Sequence, residues 1–172
     1  MKIRIGFSRT DTFISKAIRW FLGANISHTY IRYHDEFMDL NYVVHADWPG
    51  VLPVLADRFD KENISVEEYE FEIPKSALKR NLRLLGNRYD YLAIFGWAWT
   101  ITLRRWIKKK IENPIEDPKK LICVDFCLRV LNDAKITTIP SASMNPIQLL
   151  HYLRDNYESL SGSRHILEMT AK

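Results

Sequence analysis

Apolar and polar residues alternate from the start of the chain. Ile3, Ile5 and Phe7 interleave with Lys2, Arg4 and Gly6, which predicts a half-buried opening strand. The period then changes. Ile14, Ala17, Ile18, Phe21 and Leu22 recur at helical spacing, with Asp11 or Thr12 available as N-cap and Gly23 as the C-terminal stop. Residues 27–33 and 41–47, rich in Tyr, Ile, Val and Thr, flank a polar turn containing Asp35 and Glu36, the pattern of an antiparallel hairpin. Beyond Pro49-Gly50 and a short polar stretch, Tyr69, Phe71 and Ile73 alternate with Glu68, Glu70 and Glu72, predicting a strand with one wet face.

The second half reads as helical. Leu78, Leu82 and Leu85 mark a helix ending at Gly86, and a longer one is expected from about Asp90 toward Glu112, broken by Asn113-Pro114. Ile122, Cys123, Phe126, Cys127, Val130 and Leu131 share a face of the next helix. The last begins at Asn145-Pro146, Asn as N-cap and Pro as first residue. Strand, helix, several strands and then mostly helices argue for an α+β fold with an antiparallel sheet. No repeat or linker divides the chain, so residues 1–172 are expected to form a single domain.

Composition excludes several classes. At 47% hydrophobic and 27% charged residues the chain is not disordered, and six glycines are too few for a phosphate-cradling loop of the familiar nucleotide-binding kinds. A chain this long buries about 70% of its unfolded surface, so neither metal nor disulfide is needed for a core. The N-terminus lacks the apolar run of a signal peptide, which predicts a cytoplasmic protein with Cys123 and Cys127 as thiols. The net charge of +4 is mild but local: Arg104, Arg105, Lys108, Lys109 and Lys110 surround Trp106 and Ile107, directly after the apolar residues 91–103. That stretch falls short of the ~20 residues a bilayer span takes. Residues 91–110 are thus read either as a membrane-surface contact, making the protein peripheral to a membrane, or as a buried helix with a solvated basic end. No nucleic-acid-binding motif accompanies the cluster, so no nucleic-acid partner is expected.

Gly-x-Ser-x-Gly and His-Glu-x-x-His are absent, which removes the serine-hydrolase elbow and the zincin helix. The remaining chemistry lies in Cys123, Cys127, His28, His34 and His45. A thiol at a helix start is activated by free backbone N–H groups and the helix dipole; the alternative for both cysteines is burial as small hydrophobes. His28 and His45 fall in adjacent predicted strands, and if those pair they share a face, one as base and the other as its orienter. Otherwise they are structural histidines, and His34 in a charged turn is solvated. Cys-x3-Cys with distant histidines is not a recurrent zinc spacing, so neither metal nor cofactor is expected.

In this order the segments resemble the circularly permuted branch of the NlpC-type papain-like cysteine peptidase superfamily, to which the lecithin:retinol acyltransferase group is similar. Residues 13–21 look like the first helix of that branch, Ser27-His28-Thr29-Tyr30-Ile31 like its Ser-His strand, and Val43-Val44-His45-Ala46 with Pro49-Gly50-Val51 like the next strand and turn. Asn87-Arg88-Tyr89-Asp90 is similar to the Tyr-Asp element, Leu121-Ile122-Cys123-Val124-Asp125 to the segment bearing the nucleophile, and Asn145-Pro146 to the start of the terminal helix. The resemblance covers residues 3 to 153. It implies a permuted papain-like fold, an antiparallel sheet or partial barrel packed against helices, and cysteine-dependent amidase, peptidase or acyl-transfer activity with Cys123 as nucleophile, His28 as base and His45 as third residue.

Two departures matter. Val124 stands where many bacterial members have Ser, and His45 where many have Glu, with Asp47 as competitor for that third role. Asp117-Pro118 would, moreover, cap a helix placing Cys123 mid-helix, whereas the resemblance requires it at the head. Expected substrates are a peptide, a cell-wall peptide or an acyl or lipid group. The alternative is a non-catalytic binding module on a membrane surface that keeps the fold.

Overall fold

A computed structural model describes residues 1–47, 50–85, 123–140, 144–161 and 166–167. The predicted helix over 90–112, Gly86, Asp117-Pro118 and the basic cluster at 104–110 lie outside the described residues.

Among the described residues six strands form one antiparallel sheet: β1 (Lys2–Arg9), β2 (His28–Asp35), β3 (Leu40–Asp47), β4 (Gly50–Leu55), β5 (Ile64–Glu72) and β6 (Ile166–Leu167), in the spatial order β4-β3-β2-β1-β5-β6. With five helices among the described residues, α1 (Phe13–Leu22), α2 (Ala56–Glu62), α3 (Lys75–Asn81), α4 (Cys123–Asp133) and α5 (Pro146–Ser161), the architecture is α+β. No described helix is long and apolar enough to cross a membrane.

The expected caps are in place. The Thr12 hydroxyl accepts from the Ser15 N–H at 3.3 Å, and Gly23 ends α1 in the left-handed region at φ 65°. At α5, Asn145 Oδ1 accepts from the N–H groups of Ile147 and Gln148 at 3.0 and 2.9 Å, while Gln148 Oε1 accepts from the Asn145 N–H at 2.9 Å. That reciprocal pair is a capping box.

Strand alternation sorts the sheet into two faces. Ile3, Ile5, Phe7, Ile31, Val44, Tyr69 and Phe71 turn to one side, where α3, α4 and α5 complete the main core. The Tyr157 hydroxyl of α5 donates to the Glu70 carbonyl of β5 at 2.8 Å, and Arg154 pairs with Glu67 at 2.7 Å. Both contacts dock α5 on the sheet.

The other face carries a polar centre. Tyr30, Gly6 and Glu68 lie in one row across β2, β1 and β5. The Tyr30 ring crosses Gly6, so that its hydroxyl donates to Glu68 Oε1 at 2.7 Å and meets Ser65 Oγ at 2.8 Å. Arg32 Nε donates to the same Glu68 oxygen at 3.0 Å, and its two terminal nitrogens clamp Asp60 of α2 at 3.0 and 2.7 Å. The expected wet face of β5 is therefore corrected at Glu68, which is only 3% exposed. A buried carboxylate needs donors, and Tyr30 and Arg32 supply them.

Further corrections concern boundaries. The stretch after Gly50 is not a simple polar connection but β4 and α2, with Val51, Ala56 and Phe59 buried. Ile73 lies buried just beyond β5, and α3 passes into a 3₁₀ turn at Leu82–Leu84 that leaves Leu85 exposed. Ile14, which shares the helical spacing of the apolar residues of α1, is exposed, whereas Ser15 is buried.

Burial, followed by the Glu68 carboxylate, raises the ionisation of the Tyr30 hydroxyl well above the usual phenol range. A phenol whose folded pKa is raised stabilises the fold fully below the unfolded pKa of about 10, and that contribution is lost as pH rises beyond it. Urea unfolding should thus show stability falling between about pH 9 and about pH 11. In Tyr30→Phe this fall should be shallower, on a protein already weakened by about 1–3 kcal/mol through loss of the donor to Glu68. Gly6→Ala, whose Cβ collides with the Tyr30 ring, is expected to lower stability by about 2 kcal/mol or more in the same assay.

Candidate active site

The register of the β2–β3 hairpin aligns Tyr30 with His45. His28 is the first residue of β2 and lies diagonally across that ladder from His45, on the same face. The two imidazoles meet: His28 Nε2 and His45 Nδ1 are 3.2 Å apart, with the rings edge to face at a centroid distance of 5.3 Å. One of these nitrogens donates and the other accepts, so the axis holds a single proton; protonating both rings would set two donors against each other. Continuing the register two residues brings Asp47, at the end of β3, level with His28. The Asp47 side chain is outside the described residues.

His45 is held from below by Phe59 of α2, edge to face at 5.2 Å, and Phe59 in turn packs on the Tyr30 ring at 4.6 Å. Asp60, next in sequence, is the residue Arg32 clamps. The polar centre thus fixes α2, and α2 fixes the ring orientation of His45. Sequence reasoning passed over Phe59; the available signal was Ala56 and Phe59 three apart, the buried positions of α2.

Cys123 and Cys127 are free thiols on α4, a helix packed on β2 and β3, the strands that carry the two histidines. Cys123 is the N-terminal residue of the described helix and Asp125 lies buried in its first turn. Cys127, one turn on, is fully buried in the core, as expected of it. Burial pushes its thiol ionisation up, the Cys123 sulfur beside it adds to the rise, and the Thr29 hydroxyl opposes it. Thr29 adjoins His28, so the first turns of α4 run alongside the start of β2.

Alternation also separates these groups. Thr29, Ile31 and Val44 turn toward α4, whereas His28, Tyr30 and His45 turn toward α2. Thr29, beside Cys127, brings the first turns of α4 to the rim of the sheet where β2 begins, next to His28. His34, in the same strand, is half exposed, with Asn41 Oδ1 at 3.3 Å and Asp39 at 3.5 Å, apart from this group. Among the described residues no cluster of three or more His, Cys, Asp or Glu could hold a metal ion.

Comparison with protein-family models and with curated protein sequences gives no match.

Phe59→Leu, which roughly conserves bulk, is expected to cost less than about 1.5 kcal/mol while removing the ring current on His45. The His45 ring-proton resonances should shift, and unchanged resonances would break the assigned contact.

Proposed function

We propose that the chain is a cysteine hydrolase or acyltransferase of the permuted papain-like type, with Cys123 as nucleophile, His28 as general base and His45 as its orienter. The observation that carries this reading is the His28–His45 hydrogen bond on the two strands against which the Cys123 helix packs. With His28 Nε2–H donating to His45 Nδ1, His28 Nδ1 is left as the basic nitrogen.

Chemically, His28 takes the thiol proton and the Cys123 thiolate attacks a carbonyl carbon. The leaving group departs with the proton from His28, leaving a thioester on Cys123. Water, deprotonated by the same imidazole, hydrolyses that thioester; an acceptor alcohol or amine in its place would complete a transfer. The Cys123 backbone N–H is the natural first donor to the oxyanion, a contact worth about 3 kcal/mol of barrier. The substrate class is a peptide amide, including those of cell-wall peptides, or an acyl ester.

The rival reading is a non-catalytic binding module that keeps this fold, with His28 out of reach of the Cys123 thiol. Iodoacetamide labelling across pH separates the two. The enzyme reading expects Cys123 to be alkylated well below pH 7, with His28→Ala moving the profile toward the ordinary thiol value of about 8.5 and Cys123→Ala abolishing labelling. A wild-type profile already centred near 8.5, or labelling undiminished in Cys123→Ala, would overturn it.

A further inference from the structure

We propose that the outward face of α1 docks the protein on an anionic lipid bilayer. Phe13, Lys16, Ala17 and Trp20 follow one another at i, i+3, i+4 and i+7, so they share one face of the helix, with Ile14 at its margin. That face points to solvent: Phe13 is 85%, Trp20 77% and Ile14 58% exposed. The opposite side is held by polar contacts. Ser15 Oγ bonds Ser27 Oγ at 2.7 Å and accepts from the Thr10 N–H at 3.1 Å, and Arg19 donates to the Thr10 carbonyl at 3.4 Å. α1 thus leaves Phe13 and Trp20 exposed, while Ser15 is buried and Ile18 and Arg19 are half-buried.

Charge selects the occupant. Lys16 lies on the exposed face and α1 carries no acid; Arg9 precedes it, and Asp11 is the single acid among the first 34 residues. A second copy seated on this face by two-fold symmetry would set like charges against each other. An anionic bilayer accepts Trp and Phe at the headgroup boundary and attracts the cations beside them, the Lys16 stem lying along the apolar surface with its ammonium at the phosphates. The bond from α1 to Ser27 joins this surface to the residue preceding His28, but the docking proposal does not rest on the hydrolase reading.

The test is co-sedimentation of the full chain with phosphatidylcholine vesicles, with and without phosphatidylserine, at low and high salt. Binding is expected only with phosphatidylserine and should weaken as salt rises. Phe13→Ser with Trp20→Ser should lower the partition coefficient by at least about tenfold. Lys16→Glu, at an exposed site that leaves the fold intact, should lower it by about fivefold or more. Absence of wild-type binding overturns the proposal, as does Lys16→Glu binding like wild type, which would place the contact elsewhere on the chain. Lipid-free self-association that Phe13→Ser with Trp20→Ser abolishes would assign the face to a second copy and equally overturn it.

Discussion

The Glu68 carboxylate is the constraint on which the second face of the sheet depends. Moving an ionised carboxyl out of water is unfavourable by several kcal/mol unless donors replace the lost hydration. Here the donors come from β2, Tyr30 and Arg32, and each does something further. Arg32 continues to Asp60 and ties α2 to the sheet, while the Tyr30 ring forms the floor on which Phe59 rests. His45 takes its ring orientation from Phe59. A charge buried in β5 is thereby coupled, through two strands and a short helix, to the imidazole pair.

The two faces of the sheet divide the molecule's work. One is an apolar layer closed by α3, α4 and α5, ordinary in its chemistry, with Cys127 buried within it. The other is polar at its centre and holds the histidines. At the start of β2 the layers approach, through Thr29 beside Cys127 and His28 beside Thr29. Any chemistry joining Cys123 to His28 belongs to that rim, and the lateral placement of α4 there decides whether the fold is reactive or merely adhesive.

What could be read from the sequence follows the range of the interactions. Thr12, Gly23 and Asn145 act on backbone groups within a few residues, so their caps were visible in the chain alone, as were the hairpin and its alternation. β4 and α2 were missed because each is too short to establish a period, and Pro53 inside β4 reads as a breaker; it is accommodated because β4 forms an edge of the sheet. Glu68 was misjudged because its partners lie 38 and 36 residues away. Periodicity identified the apolar residues of α1, Ile14 among them, without saying what covers them. The pairing of His28 with His45 was legible as a shared face; the role of Phe59 in holding it was not, since that contact is tertiary.

Gly6 and Tyr30 have a consequence in evolutionary terms. A side chain at position 6 and a ring lying over it exclude each other, so neither position drifts independently. Loss of the tyrosine would release the glycine, and with it the need for an acid at 68 and a cation at 32, while gain of a methyl at 6 would expel the tyrosine and strand the acid. These four positions, distributed over three strands, should therefore vary as a block, and a descendant that exchanges one is expected to carry exchanges at the others.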